Sequence, residues 1–455
     1  MKLLRLLGTL AAGVLLVLLG NILLLWEYSS VGTPWMAALT ALLCLFWLIL
    51  LIVPGRRDLG SLRLGILGQG LFLVRLCLVM SVLELPVCVL ALHAVLRSPP
   101  GWPEALVLGG SVLTFFLVQA GVLLAGLVRV GGAARQIRWY WYVLLLLCWW
   151  MPGVNLLLLG YILHTAKREY RFERSRLELD AVRAESALCR TRYPVLLVHG
   201  IFFRDWQMFN YWGRIPAALQ KNGARIYYGR QQSAQSIRAS AEELHAQLHA
   251  VLEETGAEKV NIIAHSKGGL DTRYAMSVLG DAPYVASLTT INTPHGGCDW
   301  VEKALAAVSP AMQARIASHY ERIYRRLGDP SPRFLEGVRD LTPQAAAALN
   351  ARCPLEPGVR YACVMSRMRH IWSAPFPLWV GYWCIRHFSG RCQNDGLVPG
   401  EAASLPGVSL TVIEPAGQRG ISHGDMIDLS RENIRGFDVR EFYVRLVAEL
   451  AREGL

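Results

Sequence analysis

The sequence predicts two architectures in one chain: an all-α transmembrane bundle, followed by an α/β domain with a mainly parallel sheet and helices on both faces. Three observations carry this. Residues 1 to about 165 hold repeated runs rich in Leu, Val, Ala, Gly and Trp, long enough for a bilayer core that takes about 20 apolar residues. Residues 191–455 alternate short apolar strand signals with amphipathic helix signals, the pattern of a parallel sheet covered on both sides. One strand signal, Val260-Asn261-Ile262-Ile263, passes through Ala264-His265-Ser266-Lys267-Gly268 into a helix signal at Gly269. A serine therefore stands on a tight strand-to-helix turn.

In chain order, the apolar runs cover residues 6–26, 35–53, 71–95, 105–128 and 139–164, which gives four or five spans. A cleaved leader explains at most the first. Arg75 and Glu84 both fall in the third run. Nine residues correspond to about 900° of helical rotation, so the two face opposite sides and cannot pair along one helix. Arg75 is read as snorkelling to the interface, and no chain of acidic and basic residues suggests an ion path. The bundle is read as an anchor.

With four spans, Lys2, Arg5, Arg56, Arg57, Arg63, Arg129, Arg135 and Arg138 share one side, cytoplasmic by the positive-inside rule. A fifth span would put the α/β domain outside. Lys167, Arg168, Arg171, Arg174 and Arg176 then argue for the inside, and Met151-Pro152-Gly153 breaks the fifth run, which allows a re-entrant hairpin. Long domains translocate largely regardless of flanking charge, and the expectation taken is five spans with an extracytoplasmic domain.

The chain carries 46 Lys and Arg against 34 Asp and Glu, a net charge of +12. Fifteen of the basic residues and six of the acidic ones precede residue 177. That is a juxtamembrane pattern suited to anionic headgroups, and it leaves no basic stripe on the second domain for nucleic acid. Residues 166–190 form a basic linker that reads as a helix. Cys44, Cys77, Cys88 and Cys148 lie in spans as small apolar residues. The other six cysteines lack metal-ligand spacing; Cys384 and Cys392 are near enough for a short-loop disulfide or remain free thiols.

In the α/β domain, Pro194 to Val198 is an apolar strand ending in His199-Gly200-Ile201. Residues 236–255 carry helical apolar spacing (Ile237, Ala241, Leu244, Leu248, Val251, Leu252). Residues 299–352 read as consecutive helices, an insertion with stripes Val301-Leu305-Val308 and Met312-Ile316-Tyr320. Residues 359–365 and 408–414 read as strands, each followed by a turn-like segment: Asn394-Asp395-Gly396 and Ser422-His423-Gly424. Trp372, Pro375, Phe376, Pro377, Trp379 and Trp383 form an aromatic, proline-rich patch that either touches lipid or is plain loop packing.

A serine hydroxyl needs a base to become a nucleophile, an acid to orient that base, and backbone donors for the developing oxyanion. Ser266 has the context of a nucleophile elbow, and Ala264 and Gly268 supply the small flanking residues that the turn demands. Asp395 and His423 follow in the order acid, then base. The oxyanion donors are assigned to the backbone N–H groups of Ile201 and Lys267. Asp425 and Asp428 follow too closely behind the histidine to serve as its acid. His295, His370 and His387 lack the order and context of His423.

From about Arg192 onward the chain resembles a bacterial true lipase of the α/β-hydrolase superfamily. The matching phrases are Val198-His199-Gly200, Tyr211-Trp212-Gly213-Arg214-Ile215-Pro216, Asn222-Gly223-Ala224, Ala264-His265-Ser266-Lys267-Gly268-Gly269, Thr293-Pro294-His295-Gly296-Gly297, Asn394-Asp395-Gly396-Leu397-Val398 and Ser422-His423. The resemblance implies an α/β-hydrolase fold with a helical cap at about 299–352, and acyl-ester hydrolysis by Ser266, His423 and Asp395. It implies no cofactor for the chemistry. Many relatives bind a structural calcium through an acidic residue two positions after the histidine; Asp425 fits that place, while Leu429 stands where some have an amide. Relatives are exported soluble enzymes, and the first 165 residues have no counterpart among them. The sequence thus predicts a bacterial integral membrane protein that hydrolyses lipid esters. Two other readings are a membrane-lipid acyltransferase or phospholipase, and a scaffold with an inert hydrolase-like domain, which the complete Ser-Asp-His set disfavours.

Overall fold

A computed structural model describes residues 2–183, 185–201, 211–232, 234–326, 328–376, 378–390, 393–414, 417 and 419–455. The chain divides into two units, Met1–Ala181 and Val182–Leu455.

The first unit is helical. α1 (Lys2–Gly20) and α2 (Ile22–Tyr28) are followed by α3 (Thr33–Ile52), α4 (Leu62–Arg97), α5 (Trp102–Ala133), α6 (Trp139–Leu147) and α7 (Pro152–Arg183). Helices α3, α4 and α5 are long and apolar enough to cross a membrane, and α1 with α2 makes a fourth candidate bent by 66°. Glycines let α4 and α5 pack closely, as small residues do between membrane helices: a Cβ on Gly70 would lie 2.9 Å from the Gly126 carbonyl oxygen. Leu16, Leu73, Leu76, Met80 and Val122 fill the space between α1, α4 and α5. Glu84 finds a partner that helix geometry along α4 could not supply. Asn21, at the α1–α2 bend, donates to both of its carboxylate oxygens at 2.9 and 3.1 Å. Arg75 is exposed.

The fifth apolar run departs from a span. It breaks into the nine-residue α6 and the start of α7, and the two run back along each other, with the rings of Trp141 and Tyr161 4.3 Å apart. Glu169 on α7 accepts from the backbone N–H groups of Arg135 and Gln136 just before α6, and from Arg63 at the start of α4. Residues 139–164 therefore leave one end of the bundle and return to it. Arg129 marks the same end, donating to the Leu51 carbonyl at 2.8 Å and the Val53 carbonyl at 3.1 Å, which α3 leaves unsatisfied at its C-terminus.

In the second unit, six parallel strands run in the order β2-β1-β3-β4-β5-β6: β1 (Val195–Val198), β2 (Ile226–Tyr228), β3 (Val260–His265), β4 (Val285–Ile291), β5 (Arg360–Ser366) and β6 (Leu410–Ile413). β1, β3 and β4 are buried along their whole length, as expected of central strands covered on both faces. One face packs on α9 (Ile237–Thr255) through Leu244, Leu248 and Val251. Ser236 caps α9 by accepting from the Ala239 N–H, and Gly256 ends it in the left-handed conformation. The other face packs on α8 (Ile215–Lys221) and α16 (Val439–Arg452), with Trp212, Ile215 and Tyr443 at the centre.

α10 (Lys267–Val278) follows β3 without a loop. The segment after β4 is α11 (Asp299–Ala307), α12 (Pro310–Arg326), α13 (Phe334–Arg339) and α14 (Pro343–Arg352). Part of the aromatic patch is not loop but helix, α15 (Leu378–Phe388). Pro377 and Cys392 lie outside the described residues; Cys384 is a free thiol.

Candidate active site

β3 delivers Ser266 at its carboxyl end, and α10 starts on the next residue. The serine takes φ 56°, ψ −131°, a strained backbone for a residue with a side chain. Its surroundings leave room for nothing larger than glycine: a Cβ on Gly268 would lie 2.4 Å from the His199 carbonyl oxygen, and one on Gly200 would lie 2.7 Å from Ser266 Cβ. Ser266 and His423 are each 6 % exposed, whereas Asp395 is wholly buried.

His423 Nδ1 lies 2.6 Å from Asp395 Oδ2, and the His423 backbone N–H donates to the Asp395 carbonyl at 2.8 Å. The other oxygen, Asp395 Oδ1, accepts from the backbone N–H groups of Leu397 at 2.8 Å and Val398 at 2.7 Å. The carboxylate is thus fixed by two amides while it faces the imidazole. The His423 ring stands against the elbow, 4.4 Å from the ring of His265, the residue before the serine. Among the described residues no hydrogen bond joins Ser266 Oγ to His423; such links are often long without substrate and tighten in the reacting complex.

Among the described residues, neither the Ile201 nor the Lys267 backbone N–H meets an acceptor. Lys267 is the first residue of α10, where helical N–H groups are left unpaired. The N–H of Gly200 is committed to the Tyr211 hydroxyl at 3.0 Å, and that hydroxyl lies 2.7 Å from His265 Nδ1. Tyr211 therefore ties the loop after β1 to the elbow. Its presence in one of the sequence phrases gave no hint of this bridge.

The Lys267 side chain turns away into the domain. Its Nζ, buried with the rest of the side chain, donates to Asp271 Oδ1 at 2.6 Å and to Ser240 Oγ at 2.9 Å. Burial pushes the Asp271 carboxyl up to about 7 even though the Lys267 charge opposes the shift. His265 is held well below the usual histidine range by burial and then by the nearby charge of His423, so it stays neutral. His295 is also buried; burial and then the Arg273 charge push it down to about 3, and its Nε2 lies 3.1 Å from Thr290 Oγ1. His199 directs its ring nitrogens to the Gly200 and Gln231 carbonyls. His370 and His387 are exposed, the latter stacked on Trp383.

Two rivals of Asp395 are engaged elsewhere. Asp428 receives Arg214 through Nε at 2.7 Å and Nη2 at 2.8 Å. Asp425 accepts from Ser422 and from Arg419 at 3.0 Å. The guanidinium beside Asp425 supplies the positive charge that a calcium ion would bring, so the residues around Asp425 do not fit such an ion. Helix α15 meets the site at Gly381, where a Cβ would lie 2.1 Å from the Gly396 carbonyl oxygen, next to Asp395. The sequence shows that glycine, but only the packing shows its purpose.

The family described as palmitoyl protein thioesterase matches residues 194–329. A triacylglycerol lipase of Burkholderia plantarii is 35 % identical over 184 residues, 38 % of this chain and 51 % of the relative. A triacylglycerol lipase of Vibrio cholerae is 40 % identical over 115 residues, 25 % of this chain and 36 % of the relative. The chain spans about half the length, or less, of these relatives. Among solved structures, a Staphylococcus hyicus lipase aligns with a TM-score of 0.47 and 18 % identity over 58 % of this chain and 96 % of its own. The second unit is a lipase-like domain with the α/β-hydrolase fold, and it is preceded by apolar helices of membrane-spanning length.

Proposed function

We propose that the protein is a membrane-anchored serine hydrolase that cleaves carboxylic esters of lipids through Ser266, His423 and Asp395. Ser266 Oγ attacks the ester carbonyl as its proton passes to His423 Nε2. The Ile201 and Lys267 N–H groups hold the resulting oxyanion, and Asp395 steadies the imidazolium. The C–O bond then breaks and the alcohol leaves with the proton from His423. Water, deprotonated by the same imidazole, releases the acid and restores the serine. The observation that carries this reading is the 2.6 Å His423–Asp395 pair set against a strained Ser266 elbow. A lipid substrate is favoured by apolar side chains left exposed around the domain: Met312, Ile316 and Tyr320 on α12, with Trp372 and Phe376 before α15.

The test is cleavage of medium- and long-chain acyl esters, with labelling of Ser266 by a fluorophosphonate. Ser266→Ala is expected to abolish labelling and lower kcat by at least about 10³-fold. Unchanged turnover in Ser266→Ala would overturn the assignment. The thioesterase match supports a second reading in which the acyl group comes from a thioester; assaying matched oxygen and sulfur esters distinguishes the two, because the acyl-enzyme is shared and the leaving group is not.

We infer the side of the membrane from the helical unit. Four crossings, with residues 139–164 returning to their starting end, put the basic segments 56–63, 129–138 and 167–176 together. By the positive-inside rule that side is cytoplasmic, and the chain enters the hydrolase from it. This reading differs from the expectation of an external domain, which rests on a fifth crossing.

A further inference from the structure

Away from Ser266, α9 carries His245 and His249 four residues apart, one turn of helix, so both imidazoles project from one face. Asp281, three residues after the end of α10, comes up beneath them. Its Oδ1 lies 2.7 Å from His245 Nδ1 and 3.1 Å from His249 Nε2. The donor atoms of the three residues all fall within 4.8 Å of one another. The side chain of Asp281 is 1 % exposed, and its only ion-pair partners among the described residues are these two half-exposed histidines. Its second oxygen, Oδ2, is buried with no hydrogen-bond partner. A buried carboxylate oxygen left unpaired is costly.

We propose that His245, His249 and Asp281 form a binding site for a divalent transition ion of the zinc type, which ties α9 to the far end of the elbow helix. Two imidazole nitrogens and one carboxylate are the donor set that zinc prefers, whereas calcium and magnesium take oxygen donors. Ligand atoms about 2.0–2.2 Å from zinc stand roughly 3.3 Å apart around a tetrahedron, so a slight withdrawal of Asp281 from the histidines admits the ion. The half-exposed imidazoles leave a path for entry, and a fourth position faces solvent for water. The twelve residues of α10 rise about 18 Å at 1.5 Å each, which separates this site from Ser266. The ion therefore braces the helix and takes no part in ester cleavage.

The test uses the full chain in detergent micelles, free of added histidines, stripped with chelator and dialysed against zinc chloride. About one zinc per chain is expected by elemental analysis, with a rise of several degrees in Tm that neither calcium nor magnesium reproduces. His245→Gln and His249→Gln, both at half-exposed positions, should fold, weaken zinc binding at least tenfold and lose the Tm rise, while their metal-free ester cleavage matches the wild type. Absence of stoichiometric zinc in the wild type, or wild-type zinc affinity in both variants, would overturn the site.

Discussion

Lys267 sits beside the proposed nucleophile, yet its ammonium is spent on Asp271 and Ser240 rather than on the serine. Removing one member of a buried pair leaves the other charge without compensation and typically costs about 3–5 kcal/mol. Lys267→Met should therefore destabilise the domain by about that much in denaturant unfolding, and Lys267→Met combined with Asp271→Leu should recover most of it. A single variant as stable as the wild type would show that the pair contributes nothing. The sequence marked the Lys267 backbone as the useful part of this residue, because the side chain next to an elbow serine points away from it. It could not show where the ammonium goes, since Ser240 comes from α9 and only the tertiary packing of α9 on α10 brings the two together.

Helix α15 bears on the Asp395 turn most tightly at Gly381, whose Cβ position approaches the Gly396 carbonyl. A methyl group at 381 has no room, so either the helix or the Asp395 turn must give. Gly381→Ala should lower kcat at least tenfold with little change in KM, as expected when the orienting carboxylate is displaced and the substrate surface is left intact; wild-type kcat would show that the helix does not position the turn. Other elements were readable in advance to differing degrees. The strands expected at 359–365 and 408–414 lie within two residues of β5 and β6 at each end, because each carries a short apolar, β-branched run. The 139–164 run, expected as a fifth crossing or a re-entrant hairpin, folds as α6 and the start of α7. Hydropathy counts apolar residues but not the direction of the chain, and the single cue was the Met151-Pro152-Gly153 break. Fluorophosphonate labelling of Ser266 in intact and permeabilised cells checks the proposed cytoplasmic side. Strong labelling only after permeabilisation is expected, and equal labelling of intact cells by an impermeant probe would contradict it.

For the molecule as a whole, the buried histidines set the response to acid. His295 titrates near 3 when folded and near 6.5 when unfolded. A base with a depressed folded value gives stability that is complete above the unfolded value and is lost as pH falls toward the folded one. Between pH 7 and pH 5 this amounts to about 2 kcal/mol. Asp271 acts in the opposite sense, since its raised folded value removes stability as pH rises from about 4 toward 7. Comparing wild type with His295→Gln cancels the Asp271 effect. The wild type should lose about 2 kcal/mol more than the variant over that interval, and parallel stability curves would refute the assignment. Chain order alone was enough to put Ser266, Asp395 and His423 forward as candidates, because each occupies a turn with a local signature. The scaffold around them, Tyr211 across to His265 and Arg214 onto Asp428, joins residues distant in sequence and left no local trace.

The α6–α7 hairpin has a mechanical corollary. The nine residues of α6 reach about 13 Å, less than half of a hydrocarbon core of about 30 Å. Trp139 at its start and Trp149 and Trp150 just past its end are each at least two-thirds exposed. Such a wedge adds cross-section to one leaflet and none to the other, so the chain should gather where that leaflet is stretched. It would then work on strongly curved bilayers, where acyl esters are least tightly packed and easiest to extract.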